Sequence, residues 1–216
     1  MPSLLIKAVV LDLGEVLIRL NFSEIMKLRG LVLDPTRSAL GESLNHMDQW
    51  GLYDSFERGL VSEQEFVAGV SRSLGYELPL PKFLTLWNSV LKESVPGVAE
   101  LVQHLVSKLP LYALTNSNET HIRHAKANYP WLRKFNHLYT SFELQARKPE
   151  RVIYERLAQK INTLPEHILF IDDRLENVEG ARRAGWFAEQ CRSSPKDLIE
   201  ILIQYGLFIN QNDLKI

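Results

Sequence analysis

The chain has 216 residues, of which 45% are hydrophobic and 24% charged, and its formal net charge at pH 7 is −1. This length can bury a sizeable core in one or two domains. The balanced charge excludes a general affinity for nucleic acid or for an anionic membrane, because both depend on a strong basic excess.

The compartment is predicted from what the sequence lacks. No segment approaches the roughly 20 apolar residues that span a bilayer. The apolar run near the N-terminus stops at Asp12, whereas a signal peptide needs a longer run and a small-residue cleavage site. Cys191 is the only cysteine, which excludes an intrachain disulfide. We therefore expect a cytoplasmic protein.

Predicted strands and helices alternate along most of the chain. Short apolar runs, typical of strands covered on both faces, occupy residues 6–11, 109–114 and 168–171. Apolar residues at helical spacing follow at 99–107, 152–160 and 178–184. This alternation predicts an α/β fold with a Rossmann-like, doubly wound parallel sheet. Polar residues follow each predicted strand, at the edge where open α/β sheets bind ligands.

The stretch after the first predicted strand has a different pattern. It contains charged residues and helical spacing, such as Phe56 with Leu60 and Phe83 with Trp87, and no convincing buried strand. We interpret residues 21–92 as an all-helical cap domain, inserted into a core domain of residues 1–20 and 93–216. Its candidates for a surface that faces a substrate are Trp50, Phe56, Glu57 and Arg58.

Acidic residues follow two of the predicted strands. A carboxylate such as Asp12, at the mouth of a parallel sheet, can attack phosphorus and form an aspartyl-phosphate. Asp172 and Asp173 follow a buried strand, where adjacent carboxylates are costly unless a cation or hydrogen-bond donors satisfy them. Hard oxygen ligands of this kind suit Mg²⁺. Taken singly, each motif also fits a helix cap or a solvated loop acid.

Two further motifs offer hydrogen-bond donors or positive charge. Hydroxyl and backbone N–H groups in residues 115–118 can hold a phosphoryl oxygen, or one of these residues caps the next helix. Lys148 precedes Pro149, which favours an extended backbone, so its ammonium could reach the crevice and neutralise a carboxylate and a phosphate. Arg147 competes for that role. We expect His121 and His124 to lie on an exposed helix face.

The order Asp, Thr, Lys, Asp-Asp resembles the haloacid dehalogenase-like (HAD) hydrolase superfamily over nearly the whole chain. The match lies in the class with a small helical cap between the first and second motifs. Residues 12–17 (Asp-Leu-Gly-Glu-Val-Leu) and the later motifs look like a bacterial branch of sugar-phosphate phosphatases, which includes an α-glucose-1-phosphatase. By that resemblance Asp12 is the nucleophile, Thr115 and Asn116 bind phosphate, and Lys148 orients charge.

The same resemblance implies a magnesium site. Its ligands would be Asp12, the backbone carbonyl of Gly14, and Asp173. Asp172 and Asn177 would stand behind these ligands, although the sequence leaves the order of the aspartate pair open.

The sequence departs from the family pattern at Gly14. Most phosphatases of this family carry an aspartate there, which protonates the leaving group, and such catalysis is worth about 10²–10⁴-fold. Glu15 is close, but neighbouring side chains of an extended segment point to opposite faces. A metal-bound or phosphate-assisted water, a leaving group that needs less protonation, or weak activity would each fit this departure.

We therefore predict an Mg²⁺-dependent phosphomonoesterase that hydrolyses a small phosphorylated metabolite, such as a sugar phosphate, through an aspartyl-phosphate on Asp12. One alternative is a 2-haloacid dehalogenase, which needs no metal and is disfavoured by Asp172 and Asp173. Another is a binding or regulatory domain that has lost turnover. We expect no nucleic-acid or membrane partner, and the sequence leaves the oligomeric state open.

Overall fold

The computed structural model describes residues 6–26, 51–192 and 194–208, so Trp50 lies outside the described residues. The strands are β1 (Ala8–Leu11), β2 (Ile18–Leu20), β3 (Leu91–Ser94), β4 (Leu111–Thr115), β5 (His137–Thr140), β6 (Ile168–Asp172) and β7 (Phe187–Gln190). The α-helices are α1 (Ser23–Met26), α2 (Leu52–Glu57), α3 (Glu63–Leu74), α4 (Leu80–Asn88), α5 (Val98–Val106), α6 (Glu119–Asn128), α7 (Ser141–Leu144), α8 (Arg151–Lys160), α9 (Leu175–Arg183) and α10 (Pro195–Gln204). None of these helices is long and apolar enough to cross a membrane.

Five of the strands form a parallel sheet in the order β5-β4-β1-β6-β7. The predicted strands β1, β4 and β6 are confirmed, and they are the three inner strands. Val9 and Leu11 pack against α5 and α10 on one face, whereas Val10 packs against α8 and α9 on the other. This alternation follows from the two-residue period of a strand. The predicted doubly wound α/β fold is therefore confirmed.

A separate apolar cluster lies among helices α2, α3 and α4. Its centre is aromatic, with the rings of Phe56 and Phe66 stacked 4.2 Å apart and Trp87 packed at the edge of Phe66. Ser62 and Glu65 form a capping box that starts α3. Leu60 does not join the cluster as its spacing predicted, because α2 ends at Glu57 and Leu60 is 62% exposed.

The antiparallel pair β2 and β3 lies where the chain leaves and re-enters the core. The sequence did not predict these strands, because Arg19, Lys92 and Glu93 interrupt their apolar residues. The predicted domain boundaries fall at the end of β2 and within β3. The division into core and cap domains stays a prediction.

Candidate active site

The C-terminal ends of three adjacent strands bring the predicted site residues together. Asp12 follows β1 directly, Thr115 is the last residue of β4, and Asp172 is the last residue of β6. Because β1 lies between β4 and β6, these side chains occupy one edge of the sheet. Carboxylate oxygens of Asp12, Asp172 and Asp173 all lie within 4.8 Å of one another.

The ammonium group of Lys148 lies among these carboxylates. Its Nζ is 3.0 Å from Oδ1 of Asp12 and 2.6 Å from Oδ2 of Asp172. It also donates a hydrogen bond of 2.8 Å to the carbonyl oxygen of Leu114. Lys148 is only 4% exposed, and a buried ammonium needs compensating charge and acceptors of this kind. The structure thus places Lys148, and not Arg147, beside Asp12.

Two residues hold the loop that carries Lys148. The side-chain amide of Asn116 donates to the backbone carbonyl of Lys148 and accepts from its backbone N–H, both at 2.9 Å. The side-chain amide of Asn116 therefore holds the backbone of Lys148 in place. On the other side of the loop, a Cβ added to Gly180 would lie 2.7 Å from the carbonyl oxygen of Pro149. Helix α9 can pack this closely against the loop only because residue 180 is glycine.

The two aspartates at the end of β6 differ in their surroundings. Asp172 is fully buried, and its Oδ1 accepts from the backbone N–H of Arg174 at 2.8 Å and from the amide of Asn177 at 2.9 Å. Its Oδ2 faces Lys148, so protein donors engage both of its oxygens. Asp173 is partly exposed. The surroundings of the two aspartates therefore differ, while the assignment of Asp173 as the metal ligand stays a prediction.

The loop after Asp12 turns Glu15 away from the site. Oε1 of Glu15 accepts from the backbone N–H of Leu20 at 2.9 Å, and Oε2 lies 3.5 Å from Arg19. Gly14 lines the cavity, whereas Glu15 is not among its lining residues. The positive φ of this loop, 57°, belongs to Glu15 and not to Gly14.

A cavity of about 140 Å³ lies between the sheet edge and helix α2. An apolar cavity of about 150 Å³ can hold benzene, so there is room for a small molecule. Asp12, Thr115 and Lys148 line it from the core, and Tyr53 and Glu57 line it from α2. Of the predicted substrate-facing residues, Glu57 lines this cavity and Phe56 packs inside the cap cluster.

Arg147 joins the core to α2. One guanidinium nitrogen lies 2.6 Å from Oε2 of Glu57, and another lies 2.7 Å from Oδ1 of Asp54. Burial disfavours the charged form of Arg147, but the two carboxylates outweigh burial and raise its pKa. Arg58 bridges the same gap, since it pairs with Asp54 and donates to Glu150 at 3.0 Å.

The expectation that His121 lies on an exposed helix face is wrong. Its ring stacks on Trp87 at 5.1 Å, its Nε2 lies 2.9 Å from the carbonyl oxygen of Trp87, and it lines the cavity. Burial lowers the pKa of His121 to about 4. Asn118 caps α6 by accepting from the backbone N–H of His121 at 3.0 Å. The sequence position of His121 could have predicted this, because His121 lies in the first turn of the helix that directly follows the motif at 115–118.

A protein-family model described as haloacid dehalogenase-like hydrolase matches residues 6–185. The chain is 24% identical over 185 residues to drimenol cyclase from Aspergillus calidoustus, a match that covers 84% of this chain and 33% of that protein. The chain therefore spans about a third of the length of that relative. It is 23% identical over 191 residues to D-ribitol-5-phosphate phosphatase from Bacteroides thetaiotaomicron, with 84% of this chain and 90% of that protein covered.

One solved structure is similar to this chain over most of the length of both chains. It is a HAD family enzyme from Bacteroides thetaiotaomicron in complex with magnesium and inorganic phosphate. The TM-score is 0.74 at 25% sequence identity, and the match covers 86% of this chain and 93% of that one.

Proposed function

Because this chain belongs to the haloacid dehalogenase-like hydrolase family, we propose that it is an Mg²⁺-dependent phosphomonoesterase acting on a small phosphorylated metabolite, such as a sugar phosphate. The observation that carries the proposal is the grouping of Asp12, Asp172, Asp173 and Lys148 at one edge of the sheet. Two findings on similar proteins support it. One relative is a sugar-alcohol-phosphate phosphatase, and one solved neighbour holds magnesium and inorganic phosphate.

The donor set fits a magnesium ion. Carboxylate oxygens are ligands that this hard cation prefers, and three carboxylates lie within 4.8 Å of one another. Asp12, Asp173 and the backbone carbonyl of Gly14 would hold the ion. Asp172 would stand behind them, because Lys148, Arg174 and Asn177 already engage its oxygens. When bound, the ion would neutralise negative charge on the phosphoryl oxygens and on the carboxylates.

Asp12 would act as the nucleophile. Its carboxylate attacks phosphorus, the bond to the leaving oxygen breaks, and an aspartyl-phosphate forms as the leaving oxygen takes a proton from water and departs as the alcohol. A second water then attacks phosphorus, and the bond between phosphorus and the Asp12 oxygen breaks. This step releases inorganic phosphate, restores the Asp12 carboxylate, and returns to solvent the proton that the first step took up. Lys148 balances charge throughout. Thr115 and the backbone of Asn116 would hold phosphoryl oxygens at the end of β4.

One observation keeps a second candidate in view. Gly14 offers no acid to the leaving group, and Glu15 is held against β2. A domain that binds a phosphorylated ligand on this fold without turning it over would have the same features. The carboxylate cluster disfavours the dehalogenase alternative, since that chemistry needs no metal.

Hydrolysis of p-nitrophenyl phosphate by the pure protein tests the proposal. Activity should disappear in EDTA and return with Mg²⁺, and Asp12→Asn should leave at most a few per cent of it. A matched variant, Asp197→Asn in the first turn of α10, should keep both the activity and the melting temperature of the wild type. Undiminished hydrolysis in excess EDTA would contradict the metal, and an active Asp12→Asn protein would contradict the nucleophile.

A further inference from the structure

We propose that Glu57, together with Tyr53 and Arg147, recognises hydroxyl groups on the leaving-group side of the substrate. The substrate is then the phosphate ester of a small polyhydroxylated compound, and esters of apolar alcohols are rejected. This inference rests on the proposed phosphatase function and specifies its substrate class. The three residues form what we call the hydroxyl subsite.

The first observation is where Glu57 lies. It is the last residue of α2, it is 3% exposed, and it lines the same cavity as Asp12 and Lys148. The phosphate end of a substrate would face the core residues at the sheet edge. Its remaining atoms would therefore extend towards the α2 side of the cavity, where Glu57 and Tyr53 lie.

The second observation is the cost of this carboxylate. Glu57 directly follows Phe56, whose ring stacks on that of Phe66. A buried ion pair is commonly no more stabilising than apolar residues of similar volume. The ion pair of Glu57 with Arg147 is therefore by itself a weak reason for a carboxylate at position 57. A carboxylate that lines the cavity is suited instead to a polar ligand.

The third observation is hydrogen-bonding capacity. Oε1 of Glu57 accepts from the hydroxyl of Tyr53 at 2.6 Å, and Oε2 lies 2.6 Å from a guanidinium nitrogen of Arg147. A carboxylate offers about four acceptor positions, so capacity remains for hydroxyl groups of a ligand. Nε of Arg147 is buried without an acceptor among the described residues. Glu57 and Arg147 both line the cavity, so they offer acceptor positions and an N–H donor to a hydroxyl group, which both donates and accepts.

The subsite is held rigidly, which favours discrimination. Asp54 lies on α2, as Glu57 does, and its Oδ1 is 2.7 Å from a guanidinium nitrogen of Arg147. The guanidinium carbon of Arg147 in turn lies 5.8 Å from the centre of the Tyr53 ring. A site built to bond a substrate hydroxyl rejects the analogue without it by up to about 10⁴–10⁵-fold, because the polar groups of the site are then left unsatisfied.

The test compares ribitol 5-phosphate with n-pentyl phosphate, which share the phosphate and the chain length. We expect kcat/KM of the wild type to favour ribitol 5-phosphate by at least about 10²-fold. Glu57→Gln should lower that ratio at least about tenfold, and Tyr53→Phe should lower it less. Asp54→Asn, which loosens Arg147 but lies outside the cavity lining, should lower the ratio less than Glu57→Gln does.

Binding of both esters to Asp12→Asn protein in Mg²⁺, measured by calorimetry, separates this inference from the proposed function. Absence of hydrolysis of every ester, p-nitrophenyl phosphate included, would overturn the phosphatase and leave the hydroxyl preference to be decided by binding. If Glu57→Gln lowers kcat/KM equally for the two esters, or if the wild type prefers n-pentyl phosphate, the hydroxyl subsite is overturned and the proposed phosphatase function is not. Should Glu57→Gln fail to fold, Tyr53→Phe decides by the same ratio, because it removes a single hydroxyl.

Discussion

Arg147 and Lys148 are consecutive in the chain, yet their cations lie on opposite sides of the cavity. Lys148 contacts the carboxylates of Asp12 and Asp172 at the sheet edge. Arg147 contacts Asp54 and Glu57 on α2. One loop therefore connects helix α2 to the charge beside the proposed nucleophile, and a displacement of α2 would reach Lys148 through a single peptide unit.

The aspartate pair at the end of β6 gives a prediction for metal affinity. Asp173→Ala should raise the Mg²⁺ concentration needed for half-maximal activity more than Asp172→Asn does, because protein donors already engage both oxygens of Asp172. Loss of an outer partner such as Asp172 typically costs about 10–100-fold in metal affinity or activity. Titration of each variant with Mg²⁺ shows which of them needs the higher Mg²⁺ concentration. A higher requirement in Asp172→Asn would make Asp172, and not Asp173, the metal ligand.

The close approach of α9 to the Lys148 loop gives a prediction for stability. In Gly180→Ala the new Cβ would lie 2.7 Å from the carbonyl oxygen of Pro149, so the backbone must shift. We expect a loss of about 1–3 kcal/mol in the free energy of unfolding and lower activity, since Lys148 moves with Pro149. The exposed neighbour Glu179 provides the control, and Glu179→Ala should stay within about 0.5 kcal/mol of the wild type. If Gly180→Ala kept the stability and activity of the wild type, the loop at Pro149 would accommodate the added Cβ without displacing Lys148, which would contradict the prediction.

His121 gives a prediction for pH dependence. Its pKa in the folded protein is lowered to about 4, mainly by burial, against 6.5 for an ordinary histidine. The unfolded chain therefore binds a proton first, and stability should fall as the pH drops from about 6.5 towards 4, by about 1–3 kcal/mol. Urea unfolding across this range should show a shallower fall in His121→Gln. His124→Gln, on the next turn of α6, should change the slope much less, because the charge of His124 is the last-ranked cause of the lowered pKa of His121. An unchanged slope in His121→Gln would contradict this origin.

The inner strands could be predicted from the sequence, and the edge strands could not. Residues 8–11 and 168–171 are buried on both faces, which produces the continuous apolar runs that the sequence shows. Strands β5 and β7 lie at the sheet edges, where burial alternates and residues such as His137 and Glu189 interrupt the run. A parallel sheet could be predicted because its central strands are apolar. The number of strands could not, because the edge strands carry no continuous apolar run.

For the site, the residues could be predicted better than their contacts. The sequence placed Asp12, Thr115 and Asp172 at strand ends, because a strand end is a local property of the chain. It could not separate Lys148 from Arg147, since both are flexible cations in one loop and the choice depends on carboxylates far away in sequence. His121 was misplaced for the same reason, because its partner Trp87 comes from α4.

The last prediction concerns the proton that Gly14 cannot supply. If the missing acid limits the reaction, hydrolysis should depend steeply on leaving-group pKa within one series of substituted phenyl phosphates, since good leaving groups need little protonation. Gly14→Asp should flatten that dependence, because it puts a carboxylate on a residue that lines the cavity. A positive φ does not oppose a side chain at residue 14, since the positive φ of the loop is at Glu15. Glu15→Gln serves as the control and should keep the wild-type slope, because Glu15 is bound to the backbone of Leu20. A folded Gly14→Asp protein with an unchanged slope would mean that another group or a water already delivers the proton.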